Sequence, residues 1–235
     1  MATTFLLERS IKTVLGNSVS IKSNNPLAKL HFDNPRNWGD FIINQINGHE
    51  IYKKFLNSGS DLTIFDIGGN VGLFALHCLD CAKIVYSFEP TPKHYYLLKE
   101  FTKDHTNIVP VNIAISDSDG DIDFYLCDDN TTMNSIENKY GSKLTVKGQS
   151  IISFIKEKKI DKVDFIKCDI EGSEMIALKE ECIKPLFEIV DKWFIEVHGT
   201  STGGIEENRN ILINNFQNVG YKCQVFETDV MFIFK

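Results

Sequence analysis

The sequence contains no run of about 20 apolar residues, which is the length that an α-helix needs to cross a lipid bilayer. Residues 1–20 also lack the apolar core of a secretory signal peptide. Both absences argue against membrane-spanning and secreted proteins. We therefore expect a soluble, cytoplasmic protein that has no membrane partner.

The chain also lacks a block of lysine and arginine residues. Its 32 Asp and Glu residues outnumber 25 Lys and Arg residues, and the formal net charge is −7. Strong binding of nucleic acid usually requires a basic face, because the phosphate backbone dominates the affinity. The charge balance therefore argues against a nucleic-acid partner.

The six cysteines lack the paired spacing of a zinc site. Only Cys78 and Cys81 are close in sequence, and a structural zinc site needs a second ligand pair. The pair also falls late in a predicted helix and not at its start, where a thiolate would be stabilised. We interpret the cysteines as small apolar side chains and predict no cysteine-bound metal.

A strand, a glycine-containing turn, a helix and a second strand follow one another in the first half of the chain. Leu62–Phe65 is a short apolar run that ends at Asp66, and Val71–Leu79 has helical periodicity. The next strand, Ile84–Phe88, ends at Glu89. This order of elements is typical of an adenosine-cofactor site, in which the second acid accepts hydrogen bonds from the ribose hydroxyls.

The turn in this unit lacks the Gly-x-Gly-x-x-Gly pattern of dinucleotide sites, which place a pyrophosphate at the helix N-terminus. It reads Asp66-Ile-Gly68-Gly69-Asn70-Val-Gly72 instead. A carboxylate at the strand end disfavours a pyrophosphate and suits a cationic or zwitterionic ligand. The pattern resembles motif I of the Rossmann-like S-adenosylmethionine (SAM) methyltransferases. The alternative is an ordinary strand-to-helix turn in which glycines only permit tight geometry.

Strand and helix patterns alternate over the rest of the chain, which predicts an α/β fold with a mostly parallel sheet covered on both faces. The remaining predicted strands are Ile108–Ile115, Ile122–Leu126, Val163–Cys168, Trp193–Val197 and an antiparallel pair, Tyr221–Phe226 and Val230–Phe234. The remaining predicted helices begin after Thr91 and at Ser150, Glu171 and Glu206.

Two segments are less regular. Residues 1–60 have helical spacing only between residues 40 and 57, and we interpret them as a helical and irregular cap over the cofactor or substrate side of the same domain. Residues 61–235 then form the SAM-binding core. Residues 127–142 have no periodicity and predict a long loop, and loops of that length are often lids or binding loops.

Polar residues end four of the predicted strands: Asp66, Glu89, Asp169 and His198. Ligands of an open α/β sheet bind beyond the carboxyl ends of its strands, so we expect one crevice to hold all four side chains. Imidazole suits a general base for a hydroxyl, since its unperturbed pKa is near 6.5. His198 is therefore the predicted base, and a structural role is the alternative. The other five histidines receive no role.

Asp169, Glu171 and Glu174 bring three acids to one strand-to-helix junction. We predict that Asp169 or Glu171 orients the reacting hydroxyl. Capping of the helix N-terminus is the alternative for Glu171 and Glu174, because acids there favour the helix dipole. Lys167 either pairs with Asp169 or covers a sheet edge. The acids can alternatively hold Mg²⁺ on a diol, although we predict no metal ligand.

Five segments together resemble the FkbM-type methyltransferase family. They are Asp66-Ile-Gly-Gly-Asn-Val-Gly72, Phe88-Glu89-Pro90, Asn112-Ile-Ala-Ile-Ser-Asp117, Lys167-Cys-Asp-Ile-Glu-Gly-Ser-Glu174 and Glu196-Val-His198. The Asp-Ile-Glu-Gly-x-Glu element is the most specific of them. The resemblance implies a class I methyltransferase fold and SAM-dependent methylation of a hydroxyl, commonly on a sugar or a polyketide.

The resemblance also implies roles for individual residues. SAM would be lined by Asp66, Gly68, Gly69, Asn70 and Gly72, its ribose would be bound by Glu89, and its adenine would lie beside Ala114. Asp169, Glu171 and His198 would face the acceptor.

We therefore predict a SAM-dependent O-methyltransferase that acts on a small molecule, sugar or glycan by in-line methyl transfer. Three alternatives remain. The net charge disfavours an RNA 2′-O-methyltransferase, and the missing dinucleotide pattern disfavours a NAD-dependent oxidoreductase. A SAM-binding module without catalysis is the third alternative. The acceptor and a homodimeric state are left open.

Overall fold

The computed structural model describes residues 5–34, 39–48, 51–56, 61–126, 134–136 and 141–235. Its strands are β1 (Leu7–Lys12), β2 (Ser18–Ser23), β3 (Leu62–Ile67), β4 (Ala82–Phe88), β5 (Ile108–Val111), β6 (Ala114–Ile115), β7 (Gly120–Leu126), β8 (Ser142–Gln149), β9 (Phe165–Cys168), β10 (Lys192–Glu196), β11 (Lys222–Val225) and β12 (Val230–Phe234). Its α-helices are α1 (Pro26–Asp33), α2 (Gly39–Gly48), α3 (Ile51–Leu56), α4 (Leu73–His77), α5 (Pro92–Thr102), α6 (Ile151–Lys158), α7 (Glu174–Ala177), α8 (Glu180–Ile183) and α9 (Ile205–Val219).

Seven strands form the central sheet in the order β11-β12-β10-β9-β3-β4-β5. Strand β12 runs antiparallel to both of its neighbours, whereas the other neighbouring pairs are parallel. The predicted mostly parallel sheet with an antiparallel C-terminal pair is therefore confirmed. The carboxyl ends of β10, β9, β3 and β4 lie side by side, at the edge where such sheets bind ligands.

Alternate residues of the central strands belong to two apolar clusters, one on each face of the sheet. Ile64 and Phe165 lie in the cluster that includes residues of α2, α3 and α4. Phe65 and Ile166 lie in the cluster that includes residues of α6 and α9. Because successive side chains point to opposite faces, a sheet covered on both faces needs strands that are apolar throughout.

The N-terminal residues pack into the same core. Strands β1 and β2 pair as an antiparallel hairpin, in which Leu7, Ile11 and Ile21 are at most 2% exposed. These side chains belong to the cluster that includes Ile64 of β3. The sequence does not predict the hairpin or α1, because few apolar residues are spread among many polar ones there. The helices predicted from the spacing of residues 40–57 are present as α2 and α3.

The predicted strand Ile108–Ile115 is divided. Its first half is β5 in the central sheet, and its second half is β6 in a separate sheet of order β6-β8-β7. The side-chain amide of Asn112 fixes the corner by donating to the main-chain oxygens of Glu89 (2.8 Å) and Pro90 (3.0 Å). Strand β8, which the sequence does not predict, pairs with the whole of β7. Most of the predicted loop 127–142 lies outside the described residues.

The helix predicted to begin at Glu171 is also divided, into α7 and α8. Residue Lys179 between them has an extended conformation (φ −65°, ψ 155°). The side chain of Asn215 on α9 donates to the main-chain oxygen of Leu178 at 3.2 Å, so this carbonyl is satisfied from outside the helix. The helix begins only at Glu174, after two left-handed residues.

The thiols of Cys78, Cys81 and Cys168 are buried, as the sequence predicts, and burial raises the pKa of Cys78 and Cys168. Cys127 lies outside the described residues. Among the described helices, none is long and apolar enough to cross a membrane.

We predict that Ile11→Ala lowers the free energy of unfolding by about 2–5 kcal/mol, because it leaves a cavity in the core shared by the hairpin and the sheet. The control is Leu15→Ala, whose side chain is 60% exposed in the same hairpin and whose cost we expect to stay within about 0.5 kcal/mol. Urea unfolding of both variants measures the difference. Equal stability of the two variants would show that the hairpin is not part of the core.

Candidate active site

A glycine turn after β3 lies between the ends of two other strands. Gly68 has φ +84°, and a Cβ on it would come 1.8 Å from the main-chain oxygen of Asp169. A Cβ on Gly69 would come 2.1 Å from Ser87 Oγ. Both glycine amides donate to the main-chain oxygen of Phe88, at 3.1 and 2.8 Å. Only residues without a side chain fit this junction between β3, β4 and β9.

Asp66 lies beneath this turn and does not line the cavity above it. Its side chain is fully buried and accepts a hydrogen bond of 2.7 Å from Ser87 Oγ. Burial raises the pKa of Asp66, and the ammonium of Lys167, 3.9 Å away, opposes the rise. Asp66 therefore packs under the glycine turn on the side away from the cavity. Gly72 also lies away from the cavity, where a Cβ would come 2.6 Å from Leu98 Cδ1 on α5.

Glu89 is fixed by main-chain donors at the end of β4. Its Oε2 accepts from the amide of Asn70 at 2.9 Å, and its Oε1 accepts from the amide and the hydroxyl of Thr91 at 2.8 and 2.5 Å. Burial raises the pKa of Glu89 to about 7, against the lowering effect of these hydrogen bonds. The carboxylate is thus held rigidly at the cavity wall and can accept further hydrogen bonds.

A cavity of 490 Å³ extends over the carboxyl ends of β3, β4, β9 and β10. It brings together seven residues that the sequence predicts as cofactor-binding or catalytic: Gly68, Gly69, Asn70, Glu89, Ala114, Asp169 and Glu171. The volume falls within the range of small-molecule sites.

The sequence did not assign a site role to several residues of the lining, although it predicted a cap from residues 1–60. Ile42, Ile46 and Tyr52 from α2 and α3 form one wall, and Ile113, Ile115 and Phe124 lie beside Ala114. The helical spacing of the first group was a usable signal, because it leaves a face of α2 and α3 that must cover something apolar. His31 and His94, which received no role, also line the cavity, and burial lowers their pKa values to about 4 and about 3.

His198 does not itself line the cavity but lies behind three carboxylates that do, those of Asp169, Glu171 and Glu196. Its Nδ1 lies 3.2 Å from Oε1 of Glu174, which also accepts from the amide of Ile170. Its Nε2 lies 3.8 Å from Oδ1 of Asp169, 3.6 Å from Oε2 of Glu171 and 3.9 Å from Oε1 of Glu196. The buried Glu174 therefore orients the ring so that Nε2 faces three carboxylates.

This arrangement determines the charge of His198. Burial alone would lower its pKa, but the carboxylates of Glu174, Asp169 and Glu171 overcome burial and raise it to about 10. His198 is then protonated at neutral pH. A protonated imidazole cannot accept a proton, so the geometry counts against the predicted role of His198 as general base. The sequence could not indicate this, because the four acids come from two separate segments.

The neighbouring acids differ in charge. Burial raises the pKa of Glu171 to about 8, against the effect of His198. The charge of Asp169 and burial raise the pKa of Glu196 to about 7. Burial would also raise the pKa of Asp169, but Lys167 and His198 hold it below the ordinary value. Asp169 is thus the ionised member, and Glu171 is the stronger base.

Glu171 also has an uncommon backbone conformation. Its φ is +55°, and Gly172 follows with φ +95°. The amides of Ile170 and Gly172 donate to the two carboxylate oxygens of Glu174, at 2.8 Å each. Glu174 is the acid in the first turn of α7, and its two hydrogen bonds hold the loop that carries Glu171. Left-handed residues other than glycine cost energy and are often found at functional sites.

Asp169, Glu196 and His198 each offer one donor atom, and these atoms lie within 4.8 Å of one another. In the described part of the chain, this is the one group of three such residues that suits a metal ion. Carboxylate and imidazole donors are acceptable to a divalent cation. The carboxylates of Asp169 and Glu196 already face the protonated Nε2 of His198, at 3.8 and 3.9 Å.

Comparison with known proteins identifies the family. The family model described as "Methyltransferase FkbM domain" matches residues 66–223, which include the glycine turn and the acids around His198. The chain belongs to this family. The resemblance stated from the sequence is thus confirmed.

One curated relative of this FkbM-family chain is the hexuronic acid methyltransferase AglP of Haloferax volcanii. It is 29% identical over 123 residues, which cover 51% of the chain and 49% of the relative. The chain therefore spans about half the length of the curated relative that it matches.

Solved structures show the fold. The fibrillarin pre-rRNA processing protein of Methanococcus jannaschii is 16% identical, with 100% of the chain and 85% of that protein covered and a TM-score of 0.50. A precorrin-6y C5,15-methyltransferase from Geobacter metallireducens is 9% identical, with 77% and 85% covered and a TM-score of 0.47. The strand order, the family match and the likeness to the fibrillarin structure confirm the predicted Rossmann-like class I methyltransferase fold. Likeness at such identities shows the fold alone.

The glycine turn of this FkbM-family chain yields a prediction. Gly68→Ala should lower the free energy of unfolding by about 3 kcal/mol, because the new Cβ meets a main-chain oxygen and the residue is left-handed. The control is Gly204→Ala, where a Cβ meets nothing within 4 Å. We expect the control to cost no more than about 1 kcal/mol, the effect of a changed helix N-cap. Thermal unfolding compares them, and equal melting temperatures would contradict the close approach at Gly68.

Proposed function

We propose that this protein is a SAM-dependent O-methyltransferase whose acceptor is a hydroxyl of a sugar, a glycan or another small molecule. The observation that carries the proposal is a single cavity that joins a glycine turn and Glu89 to the acids around His198. The first part suits an adenosine cofactor, and the second part suits a reacting hydroxyl. Membership of the FkbM methyltransferase family supports the same reaction.

The lining residues favour one orientation of the cofactor in the proposal. Its ribose hydroxyls would donate to Glu89, which the Asn70 and Thr91 amides hold in place. Its adenine would lie between Ala114 and Phe124, in the apolar part of the lining. Its amino-acid end would pass Gly68 toward Asp169, so the sulfonium would lie among carboxylates that favour a cation.

Methyl transfer requires the acceptor oxygen to be aligned with the methyl group and a side chain that accepts the hydroxyl proton. The acceptor oxygen forms a bond to the methyl carbon while the bond from carbon to sulfur breaks, and the hydroxyl proton passes to a carboxylate. We assign the proton to the ionised form of Glu171, because its pKa of about 8 makes it a stronger base than Asp169, which is engaged by Lys167 at 3.0 Å. Asp169 orients the hydroxyl. The protonated His198 holds both carboxylates in position.

The sulfonium already makes the methyl group electrophilic, and the proposed reaction therefore includes no metal. Residues 1–60 act as a cap in the same proposal, since Ile42, Ile46 and Tyr52 form a wall of the cavity.

A sugar acceptor is favoured over RNA. The curated relative, which matches 51% of this chain, is named as a hexuronic acid methyltransferase. The likeness to fibrillarin concerns the fold alone. The formal net charge of −7 and the carboxylates at the acceptor end count against a polyanionic acceptor.

Glu89→Ala should abolish binding of S-adenosylhomocysteine in a calorimetric titration. In the unchanged protein, binding should weaken about tenfold between pH 8 and pH 6, because the raised pKa of about 7 leaves Glu89 increasingly protonated below neutrality. Ribose hydroxyls donate to the ionised carboxylate, so binding must then release a proton.

The matched control is Glu206→Gln, whose side chain is 80% exposed on α9 and whose affinity should equal that of the unchanged protein. Undiminished binding by Glu89→Ala would remove Glu89 from the ribose site. Absence of binding by the unchanged protein would contradict the SAM proposal itself.

Glu171→Gln should lower kcat for methyl transfer by about 10²- to 10⁴-fold, the usual contribution of a general base, with little change in the affinity for S-adenosylhomocysteine. The measurement is methyl transfer from radiolabelled SAM to an acceptor found in a screen of glycans and small hydroxyl compounds. Glu206→Gln is again the control. A kcat within a few-fold of the unchanged enzyme would show that the proton goes elsewhere.

A further inference from the structure

Lys167 is a buried cation in an acidic cavity, and the proposed reaction does not use it. It lies on β9 and is 7% exposed. Its Nζ donates to the main-chain oxygen of Gly68 at 3.2 Å and to Oδ2 of Asp169 at 3.0 Å. Burial would lower the pKa of Lys167, but Asp169 and Asp66 overcome burial and raise it. The side chain is therefore an ammonium ion at the cavity wall.

An ammonium group has three donors, and the described residues accept two of them. The next acceptor, Oδ1 of Asp66, lies 3.9 Å from Nζ, which is beyond hydrogen-bond distance. A third N–H group of a buried lysine is thus available for a ligand in the cavity that Lys167 lines.

The charges of the lining restrict what that ligand can be. Four carboxylates line the cavity, those of Glu89, Asp169, Glu171 and Glu196. Among the described lining residues, Lys167 is the one lysine or arginine, and burial keeps His31 and His94 neutral through lowered pKa values. Among the described lining residues, Lys167 is therefore the group whose charge would attract an anionic group of a ligand.

Tyr52 places an aromatic wall beside the same position. Its ring centroid lies 4.9 Å from that of Phe194, and Phe194 is paired with Lys167 in the neighbouring strand. Tyr52 also lines the cavity. The space next to the ammonium is thus enclosed by α3 and by the glycine turn, and it is partly shielded from water, where a charged hydrogen bond is stronger.

We propose that Lys167 binds the α-carboxylate of the cofactor and so selects a zwitterionic amino-acid end. The inference rests on the proposed function, because it names the part of SAM that Lys167 recognises. Lys167 is hydrogen-bonded to the main-chain oxygen of Gly68. The glycine turn would then connect recognition of the carboxylate to that of the ribose.

The test compares two ligands that differ by one carboxylate. S-Adenosylhomocysteine and its decarboxylated form, S-adenosyl-3-thiopropylamine, are titrated calorimetrically into the unchanged protein and into Lys167→Met. The unchanged protein should bind S-adenosylhomocysteine about 10- to 100-fold more tightly, the range of a charge-assisted hydrogen bond. Lys167→Met should lose this preference or reverse it, because the decarboxylated ligand is a net cation that the acidic lining favours.

Lys179→Met is the matched control, since Lys179 pairs with Asp117 on the surface and should not affect the preference. If Lys167→Met does not fold by circular dichroism, Lys167→Gln replaces it, with the same expected loss. Equal binding of the two ligands by the unchanged protein would overturn the proposal, and so would a preference that survives in the Lys167 variant. Absence of binding of both ligands to the unchanged protein would instead contradict SAM as the cofactor.

Discussion

The close approach of the backbone at Gly68 to the end of β9 is the constraint on which the site depends. A Cβ at this residue would lie 1.8 Å from the main-chain oxygen of Asp169, so the turn after β3 and the acids after β9 meet without any side chain between them. The proposed cofactor half and the proposed acceptor half of the cavity are therefore one space. The amides of Gly68 and Gly69 extend the same junction to Phe88 at the end of β4, next to Glu89.

Buried charge is concentrated at this junction, and it is organised in pairs. Lys167 lies between Asp169 and Asp66, and His198 lies between Glu174 and the three acids that face its Nε2. A buried charge without a partner would be costly, so each cation stabilises carboxylates that the core alone would not tolerate. The resulting excess of negative charge suits a sulfonium, and the raised pKa of Glu171 suits a group that receives a proton.

The parts of the structure that could be predicted from the sequence are those whose signal is local. Strand β3, the glycine turn and Glu89 form one continuous segment, and the alternation of strands and helices predicts the sheet. Tyr52 and the hairpin were missed because their role depends on packing against residues far along the chain. Asp66 shows the same limit: its position at a strand end is local, but its burial under Gly69 depends on Ser87 of the neighbouring strand. The charge of His198 likewise depends on acids that only the fold brings together.

Binding of the cofactor is the most direct test of this account. Purified protein would be titrated with SAM, S-adenosylhomocysteine and NAD under identical conditions in a calorimeter. The account predicts micromolar binding of SAM and of S-adenosylhomocysteine at one site per chain and no binding of NAD. Tight binding of NAD together with no heat from either SAM or its product would contradict it and would indicate a dinucleotide enzyme.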